Sequence, residues 1–309
     1  MRQIVFLIFL EFNTIYNFDL IWKDMQNEYM QTIKFMEAYP DNFSTIFWKN
    51  CCNEVKKLIL GKPDLKFLYY PRIAGTMVRM TFTDAQNLEE SFLQDCISDT
   101  IREKISKFRD CNLLPLGSKL NYSVSTLGHV FYAARICDFY NDSPNKIIEL
   151  GGGYGNLARV FSFLNSDIKY IIFDLPEILA IQYLFLRYTC PNLNVTICKS
   201  VTESFDKSGI YLVPVQLLNY IDLSCDCFIS NFAITESNFN LQQRIAEKDF
   251  FYSKLCYITG QLNGSKESGW VSHKFLANNL RRVYKHVDFH PYYIFSANAK
   301  NFEAIALKE

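Results

Sequence analysis

Two acids and three spaced glycines are the residues of this chain best suited to chemistry. Glu149 is followed by Gly151, Gly153 and Gly155 in the run ELGGGYG, and Asp174 ends the next apolar run, YIIFD. Glycines let a backbone approach a ligand closely, because no Cβ atom stands in the way. A carboxylate after the second run can accept hydrogen bonds from both hydroxyls of a ribose. The pattern therefore predicts a site for a nucleotide or nucleoside.

The elements predicted around these residues bring them to one edge of a sheet. Residues 146–150 are apolar and β-branched and run into glycines, which predicts a buried parallel strand that enters a tight turn. Residues 156–163 have apolar side chains at helical spacing, and residues 170–174 predict a second strand. Right-handed crossovers place the carboxyl ends of parallel strands on the same edge, where ligands bind.

The spacing of the glycines distinguishes between two cofactors. E-x-G-x-G-x-G is typical of class I methyltransferases that use S-adenosylmethionine, and the acid suits the methionine ammonium, which needs an acceptor. The dinucleotide pattern G-x-G-x-x-G fails from Gly151, because residue 156 is Asn, and from Gly153 it survives only with Ala158 in the last position. We therefore expect S-adenosylmethionine as the cofactor, with an NAD(P)-dependent oxidoreductase as the alternative.

Three segments carry a family resemblance. ELGGGYGNLARVF, YIIFDLPEILAIQYLFL and DCFISNFAITES resemble the bacterial sugar O-methyltransferases of surface-polysaccharide gene clusters. The resemblance extends from about Ser123 to the C-terminus. It implies a Rossmann-like, seven-stranded methyltransferase sheet with an antiparallel last strand, and transfer of a methyl group to a sugar hydroxyl in surface polysaccharide biosynthesis. It also implies that Ser200, after the third strand, meets the adenine and that Asn231, after the fourth, lies beside the sulfur.

A base is needed because a sugar hydroxyl is a poor nucleophile until a side chain accepts its proton. Glu236 follows the fourth predicted strand and His273 follows the fifth, so both are candidate catalytic residues at the carboxyl edge. His129 and His290 are weaker candidates. The chain lacks the His and acid–Trp motif of the plant and animal O-methyltransferases, whose DLP strand end it shares. A non-catalytic protein that keeps the fold is therefore a third interpretation.

The composition is that of a folded protein without a preference for nucleic acid. Hydrophobic residues make up 49% and aromatic residues 16% of the 309 residues, and 32 basic residues balance 32 acidic ones. No basic stretch suggests a phosphate backbone as partner. We expect a small-molecule substrate, or a sugar linked to a nucleotide or lipid, and the sequence leaves a homo-oligomer open.

The ten cysteines are scattered, and neither Cys51-Cys52 nor Cys225-x-Cys227 has the spacing of a zinc site. They predict free thiols, no metal site and a cytoplasmic protein. The apolar run at residues 4–10 is too short to span a membrane and lacks the cleavage site of a signal peptide. We interpret it as a buried strand or helical turn.

The chain is predicted to have two parts. Residues 1–120 read as a mainly helical cap or substrate region, and residues 121–309 as the cofactor-binding domain, which begins with a helix leading to the first strand. Two strands predicted at residues 292–297 and 302–308 would form an antiparallel hairpin at the end of the chain. Tyr122 and Trp270 are the aromatic residues predicted to lie near a glycan.

Overall fold

An eight-stranded mixed sheet with helices on both faces follows a helical N-terminal region. The structure is a computed structural model that describes residues 2–79, 83–95, 97–262, 273–291 and 301–308, with side chains from residue 17 onward and without that of His273. The strands are β1 Lys146–Leu150, β2 Lys169–Asp174, β3 Val195–Ile197, β4 Gly209–Pro214, β5 Cys227–Asn231, β6 Leu255–Gln261, β7 His286–Pro291 and β8 Asn301–Leu307.

The strand order is β3-β4-β2-β1-β5-β6-β8-β7. The first six strands in this order pair in parallel, whereas β8 is antiparallel to both β6 and β7. The carboxyl ends of β1, β2, β4, β5 and β6 therefore lie on one edge of the sheet. This arrangement confirms the predicted α/β class with an antiparallel last strand.

The helices that precede the first strand are α1 Arg2–Met36, α2 Ile46–Ile59, α3 Pro71–Thr76, α4 Thr83–Asp95, α5 Asp99–Ser106 and α6 Val124–Tyr140. Those that alternate with the strands are α7 Asn156–Leu164, α8 Pro176–Thr189, α9 Ala233–Glu236, α10 Phe239–Glu247 and α11 His273–Val283. Residues 4–10 lie within α1. Among the described residues, no helix has the length and apolar character needed to span a bilayer.

Alternate residues of each central strand enter two separate cores. Ile147 of β1 packs with α6, α7 and α8 on one face, and Ile148 packs with α10 and α11 on the other. Because both faces are covered, the central strands are apolar at almost every position, as expected for a buried parallel sheet. Glu149 is an exception in β1, and only 2% of its surface is exposed.

The sheet has eight strands where seven were predicted, and two of the eight, β4 and β7, lie in segments for which the sequence predicted no strand. Strand β4 pairs with β2, and the predicted third strand, β3, is a short strand at the edge. The run GIYLVPVQLL is apolar throughout, and such a run does not distinguish a buried strand from a helix by periodicity. The strand predicted at residues 292–297 lies outside the described residues.

Helix α1 attaches the N-terminal region to the sheet through α8. Tyr29 donates a hydrogen bond to Glu177 at 3.0 Å, and Tyr183 donates one to Asp24 at 2.6 Å. Phe18, Trp22 and Met25 of α1 are buried in the same core as α8. The helical region is thus packed directly onto the helix that begins two residues after Asp174.

Candidate active site

A cavity of about 770 Å³ opens at the carboxyl edge of the sheet. It lies between the strand ends and the N-terminal region, which contributes Phe43, Trp48 and residues 74–79 to its wall. The sequence-predicted residues that line it are Glu149, Gly151, Gly153, Asp174, Asn231, Glu236 and His129. The structure therefore brings together residues that are spread over much of the chain.

The glycine turn after β1 leaves an open cradle facing the cavity. Gly151 has φ 77° and Gly153 has φ 55°, a region that favours glycine. A Cβ atom at Gly151 would collide with the side chain of Ala233, whereas at Gly153 the nearest atoms are those of Met77 at 4.0 Å. Gly155 does not line the cavity and begins helix α7 as its N-cap. The backbone here can thus approach a ligand closely.

Glu149 is a buried carboxyl group on the wall of the cavity. Tyr170 of the neighbouring strand donates a hydrogen bond to Oε2 of Glu149 at 2.9 Å. Burial raises the pKa of Glu149 to about 8, although the tyrosine hydroxyl stabilises the ionised form. A buried acid of this kind is suited to a cationic group, because a positive charge would offset the cost of ionising it.

Asp174 is connected to the glycine turn by a glutamine that the sequence analysis missed. Nε2 of Gln182 donates to Oδ2 of Asp174 at 2.8 Å and to the carbonyl oxygen of Gly153 at 3.0 Å. The backbone N–H of Leu175 donates to Oδ1 of Asp174 at 2.8 Å. Burial raises the pKa of Asp174 to about 7. The one available signal was Gln182 itself, a polar residue in an otherwise apolar stretch of α8.

The end of β5 and the turn after it place Asn231 and Glu236 on the cavity wall. Asn231 accepts a hydrogen bond from Thr259 at 3.1 Å through Oδ1. Phe232 follows with φ 68°, an uncommon conformation for an aromatic residue, and its carbonyl oxygen accepts from the N–H groups of Thr235 and Glu236, both at 3.1 Å. This turn starts the short helix α9, which carries Glu236.

Glu236 is held on the cavity wall by a neutral donor. Nε2 of Gln261 donates to Oε1 of Glu236 at 3.1 Å, and Trp48 lines the same cavity. Thr235 donates to Oε1 of Gln261 at 2.7 Å, which fixes the orientation of the amide. Burial raises the pKa of Glu236, and the hydrogen bond from Gln261 opposes that change. The sequence predicted Glu236 but neither Gln261 nor Trp48.

His129 also faces the cavity, from helix α6. Its Nδ1 lies 3.3 Å from Nδ2 of Asn156, the first residue of α7. Burial, together with the charge of Arg79, lowers the pKa of His129 to about 4, so the imidazole is neutral near pH 7. Arg79 forms a buried ion pair with Glu89 and passes against Gly128, where a Cβ atom would collide with the guanidinium group.

The adenine contact predicted for Ser200 is not favoured by its position. Ser200 follows the edge strand β3 and is absent from the cavity wall, and its hydroxyl lies 2.9 Å from that of Thr202. Asp174 is paired in register with Pro214, so the residues after β4 are those beside it. Val215 lines the cavity, and the next residue, Gln216, is buried with no hydrogen-bond partner for Oε1 among the described residues.

The remaining predicted residues lie elsewhere. His290 of β7 lines a separate, smaller cavity, and Tyr122 is buried with its hydroxyl donating to the carbonyl oxygen of Ile105 at 3.2 Å. His273 is the first residue of α11, and its side chain and Trp270 are outside the described part of the chain. Within that described part, no cluster of His, Cys, Asp and Glu has the makings of a metal site.

No family model and no curated protein matches the chain. The chain is similar to several solved structures at low identity. An O-methyltransferase family protein from Burkholderia thailandensis is 10% identical, with a TM-score of 0.40 over 85% of this chain and 69% of that one. The N-terminal domain of EvdMO1, in the presence of SAH and D-fucose, is 9% identical, with a TM-score of 0.43 over 69% of this chain and 98% of that one.

PigF with SAH is 12% identical, with a TM-score of 0.33 over 60% of this chain, and the match spans 58% of PigF. The chain itself has a Rossmann-like α/β fold, with a helical region in front of it.

Proposed function

We propose that this protein is an S-adenosylmethionine-dependent O-methyltransferase that acts on a sugar hydroxyl. The observation that carries the proposal is the single cavity onto which Glu149, the glycine turn and Asp174 converge, with Gln182 bonded to both the turn and Asp174. A second group of polar side chains, centred on Glu236, lies on the wall of the same cavity. A cofactor and an acceptor can therefore meet there.

The residues of the cofactor side fit the parts of S-adenosylmethionine. Asp174 keeps acceptor capacity for the ribose hydroxyls beyond its bonds to Leu175 and Gln182, since a carboxylate accepts at about four positions. Glu149 would accept from the methionine ammonium. When bound, the cofactor supplies a methyl group on a positively charged sulfonium.

The acceptor side offers a base and a hydrogen-bonding wall. Glu236 as the carboxylate would take the proton of the acceptor hydroxyl, and a raised pKa makes it a stronger base than an exposed glutamate. His129 is neutral and is therefore suited to bind a hydroxyl group rather than to take its proton. Asn231 lines the same cavity and can orient the reacting atoms. His273 remains the other candidate for the base.

The nature of the acceptor follows from the chemistry of this wall. Hydroxyl, amide and imidazole groups line the cavity together with Trp48 and Tyr132, a combination suited to a polar ring with apolar faces. The sequence resemblance to sugar O-methyltransferases points the same way. We infer a role in surface polysaccharide biosynthesis, with residues 1–120 as the part that closes the site over the substrate.

We place this activity in the cytoplasm. The nine described cysteines form no disulfide with one another, which is consistent with a reducing compartment. The substrate would then be a sugar linked to a nucleotide or lipid.

The test is transfer of a labelled methyl group from S-adenosylmethionine to a panel of free, nucleotide-linked and lipid-linked sugars. Methylation of a sugar hydroxyl, located by mass spectrometry, is the expected result. Binding of the cofactor without transfer to any acceptor would favour a non-catalytic protein that keeps the fold. Hydride transfer with NAD(P) would favour the oxidoreductase and contradict the proposal.

A further inference from the structure

Two buried side chains of α7 connect the protein interior to His129 on the cavity wall. Nη1 of Arg159 donates to Oδ1 of Asn156 at 3.2 Å, and Nδ2 of Asn156 lies 3.3 Å from Nδ1 of His129. Asn156 and Arg159 belong to α7, whereas His129 belongs to α6. Because 0% of the surface of Asn156 is exposed, its amide makes these hydrogen bonds without competition from bulk water.

The charged side chain of Arg159 fixes which way the amide of Asn156 faces. A guanidinium group has donors and no acceptor, so the atom of Asn156 that it contacts must be the carbonyl oxygen. Nη2 of Arg159 also donates to the carbonyl oxygen of Arg109 at 2.5 Å, which holds the guanidinium in place. The amide nitrogen of Asn156 must therefore be the atom that faces His129.

The two N–H bonds of that amide have two acceptors. Oγ1 of Thr126 lies 3.2 Å from Nδ2 of Asn156 and donates its own proton to Oδ1 of Asp110 at 3.1 Å. Since the threonine proton is directed at the carboxylate, the hydroxyl oxygen accepts from Asn156. The second N–H of the amide is left for Nδ1 of His129, which must then be an acceptor. A neutral imidazole that accepts at Nδ1 carries its proton at Nε2.

Nε2 is the ring nitrogen of His129 that is left for a ligand. His129 lines the cavity together with Ser125 and Tyr132 of the same helix. Its ring lies nearly perpendicular to that of Tyr154, between the second and third spaced glycines, with the ring centres 5.5 Å apart. Tyr154 donates to the hydroxyl oxygen of Ser125 at 3.0 Å. The imidazole is thus held beside the glycine turn.

We propose that Asn156 and Arg159 are positioning residues that hold His129 as an Nε2–H donor to an oxygen atom of a ligand in the cavity. The inference rests on the proposed function, which offers such an oxygen on either reactant, in the methionine carboxylate of the cofactor or on the sugar. A donor whose tautomer is set in advance needs no rearrangement when the oxygen arrives. His129 then orients a reactant and does not take its proton.

The tautomer is tested by ¹⁵N NMR of the imidazole nitrogens, because protonated and unprotonated ring nitrogens differ in chemical shift. The chain has four histidines, and His129→Gln assigns the signal. In mildly alkaline solution, Nε2 of wild-type His129 is expected to carry the proton. Asn156→Asp, which replaces the donor with an acceptor of the same shape, should move the proton to Nδ1. Asn165→Asp is the matched control, because Asn165 ends the same helix and does not line the cavity.

Contact with a ligand is tested by two substitutions of His129. His129→Leu has no donor and is expected to weaken binding by about 3–10-fold, the size of one hydrogen bond. His129→Gln keeps an N–H donor near the position of Nε2 and should recover most of that loss. If affinity falls for S-adenosylhomocysteine but not for 5′-methylthioadenosine, which lacks the amino acid, the oxygen belongs to the methionine carboxylate. If only the KM of the acceptor rises, the oxygen belongs to the sugar.

Three results would overturn the inference. They are a proton on Nδ1 of wild-type His129, an unchanged tautomer in Asn156→Asp, and a His129→Leu variant that binds both reactants as well as the wild type does. The NMR measurement and the titration with S-adenosylhomocysteine need no turnover. Absence of methyl transfer by a wild-type protein that has the Nε2–H tautomer would therefore contradict the proposed function alone.

Discussion

Gln182 and Asp174 form a hydrogen bond of 2.8 Å that connects helix α8 to the end of strand β2. The same amide nitrogen lies 3.0 Å from the carbonyl oxygen of Gly153. One side chain thus sets the distance between the glycine turn and the acid. The glycine turn and Asp174 must both keep their positions if one ligand is to contact them at the same time.

Gln182→Met is expected to weaken the binding of S-adenosylhomocysteine (SAH) by about 5–20-fold, because two acceptors lose their donor at a net cost of about 1–2 kcal/mol. Calorimetric titration measures the change. Gln242→Met is the control, since Gln242 is equally buried but lies in α10. Equal affinity of wild type and Gln182→Met would show that the turn and the acid are held in place by other contacts.

Asp174→Ala should weaken SAH binding by about 2–4 kcal/mol, because a carboxylate that accepts from two ribose hydroxyls loses charged hydrogen bonds. Asp167→Ala is the matched control in the exposed turn before β2. Titration of the three proteins with 5′-methylthioadenosine, which keeps the ribose and lacks the amino acid, should show the same loss. A variant that binds SAH as tightly as the wild type would remove Asp174 from the ribose site.

Cofactor affinity should rise with pH between about 6 and 8, a window set by the raised pKa values of Asp174, about 7, and Glu149, about 8. The ammonium and ribose hydroxyls need ionised acceptors, so binding releases protons from these acids. Calorimetry in buffers of different ionisation enthalpy counts the protons. Glu149→Gln should reduce the release, and an affinity independent of pH in the wild type would contradict the assignment.

The raised pKa values of Asp174 and Glu149 also affect the stability of the free protein, which should change with pH in the opposite direction to cofactor affinity. Both acids bind protons more tightly in the folded protein, so their contribution to the free energy of unfolding falls as pH rises from about 4 through about 8. SAH should restore the stability lost at the upper end of this window. Chemical denaturation of Glu149→Gln, compared with the wild type across this range, measures the contribution of that acid.

Glu236→Gln should reduce single-turnover methyl transfer by about 10²–10⁴-fold and leave SAH affinity intact, as expected for loss of a general base. His290→Ala is the control, because His290 lies at a separate cavity, and it should change the rate by less than about threefold. His273→Ala tests the other predicted base. If Glu236→Gln kept a near-wild-type rate and His273→Ala lost most of its rate, the general base would be His273 and not Glu236.

Local patterns in the sequence were sufficient to predict which site residues lie at the ends of strands. Glu149 and the glycines form one continuous motif, and Asp174 and Asn231 each end an apolar run. In a parallel sheet those ends share an edge. Their convergence on one cavity could therefore be anticipated without knowledge of the packing.

The partners of those residues could not be anticipated, because packing between distant elements creates them. Gln261 reaches Glu236 from β6, and Gln182 reaches Asp174 from α8. The prediction for Ser200 depended on strand order, which changed once β4 was inserted between β2 and β3. Apolar runs buried on both faces carry no periodic signal for such an insertion.

Calorimetric titration of the wild-type protein with SAH and, separately, with NAD tests the central claim most directly. The account predicts saturable binding of one SAH per chain and no measurable heat of binding from NAD. Saturable binding of NAD, together with none of SAH, would contradict it.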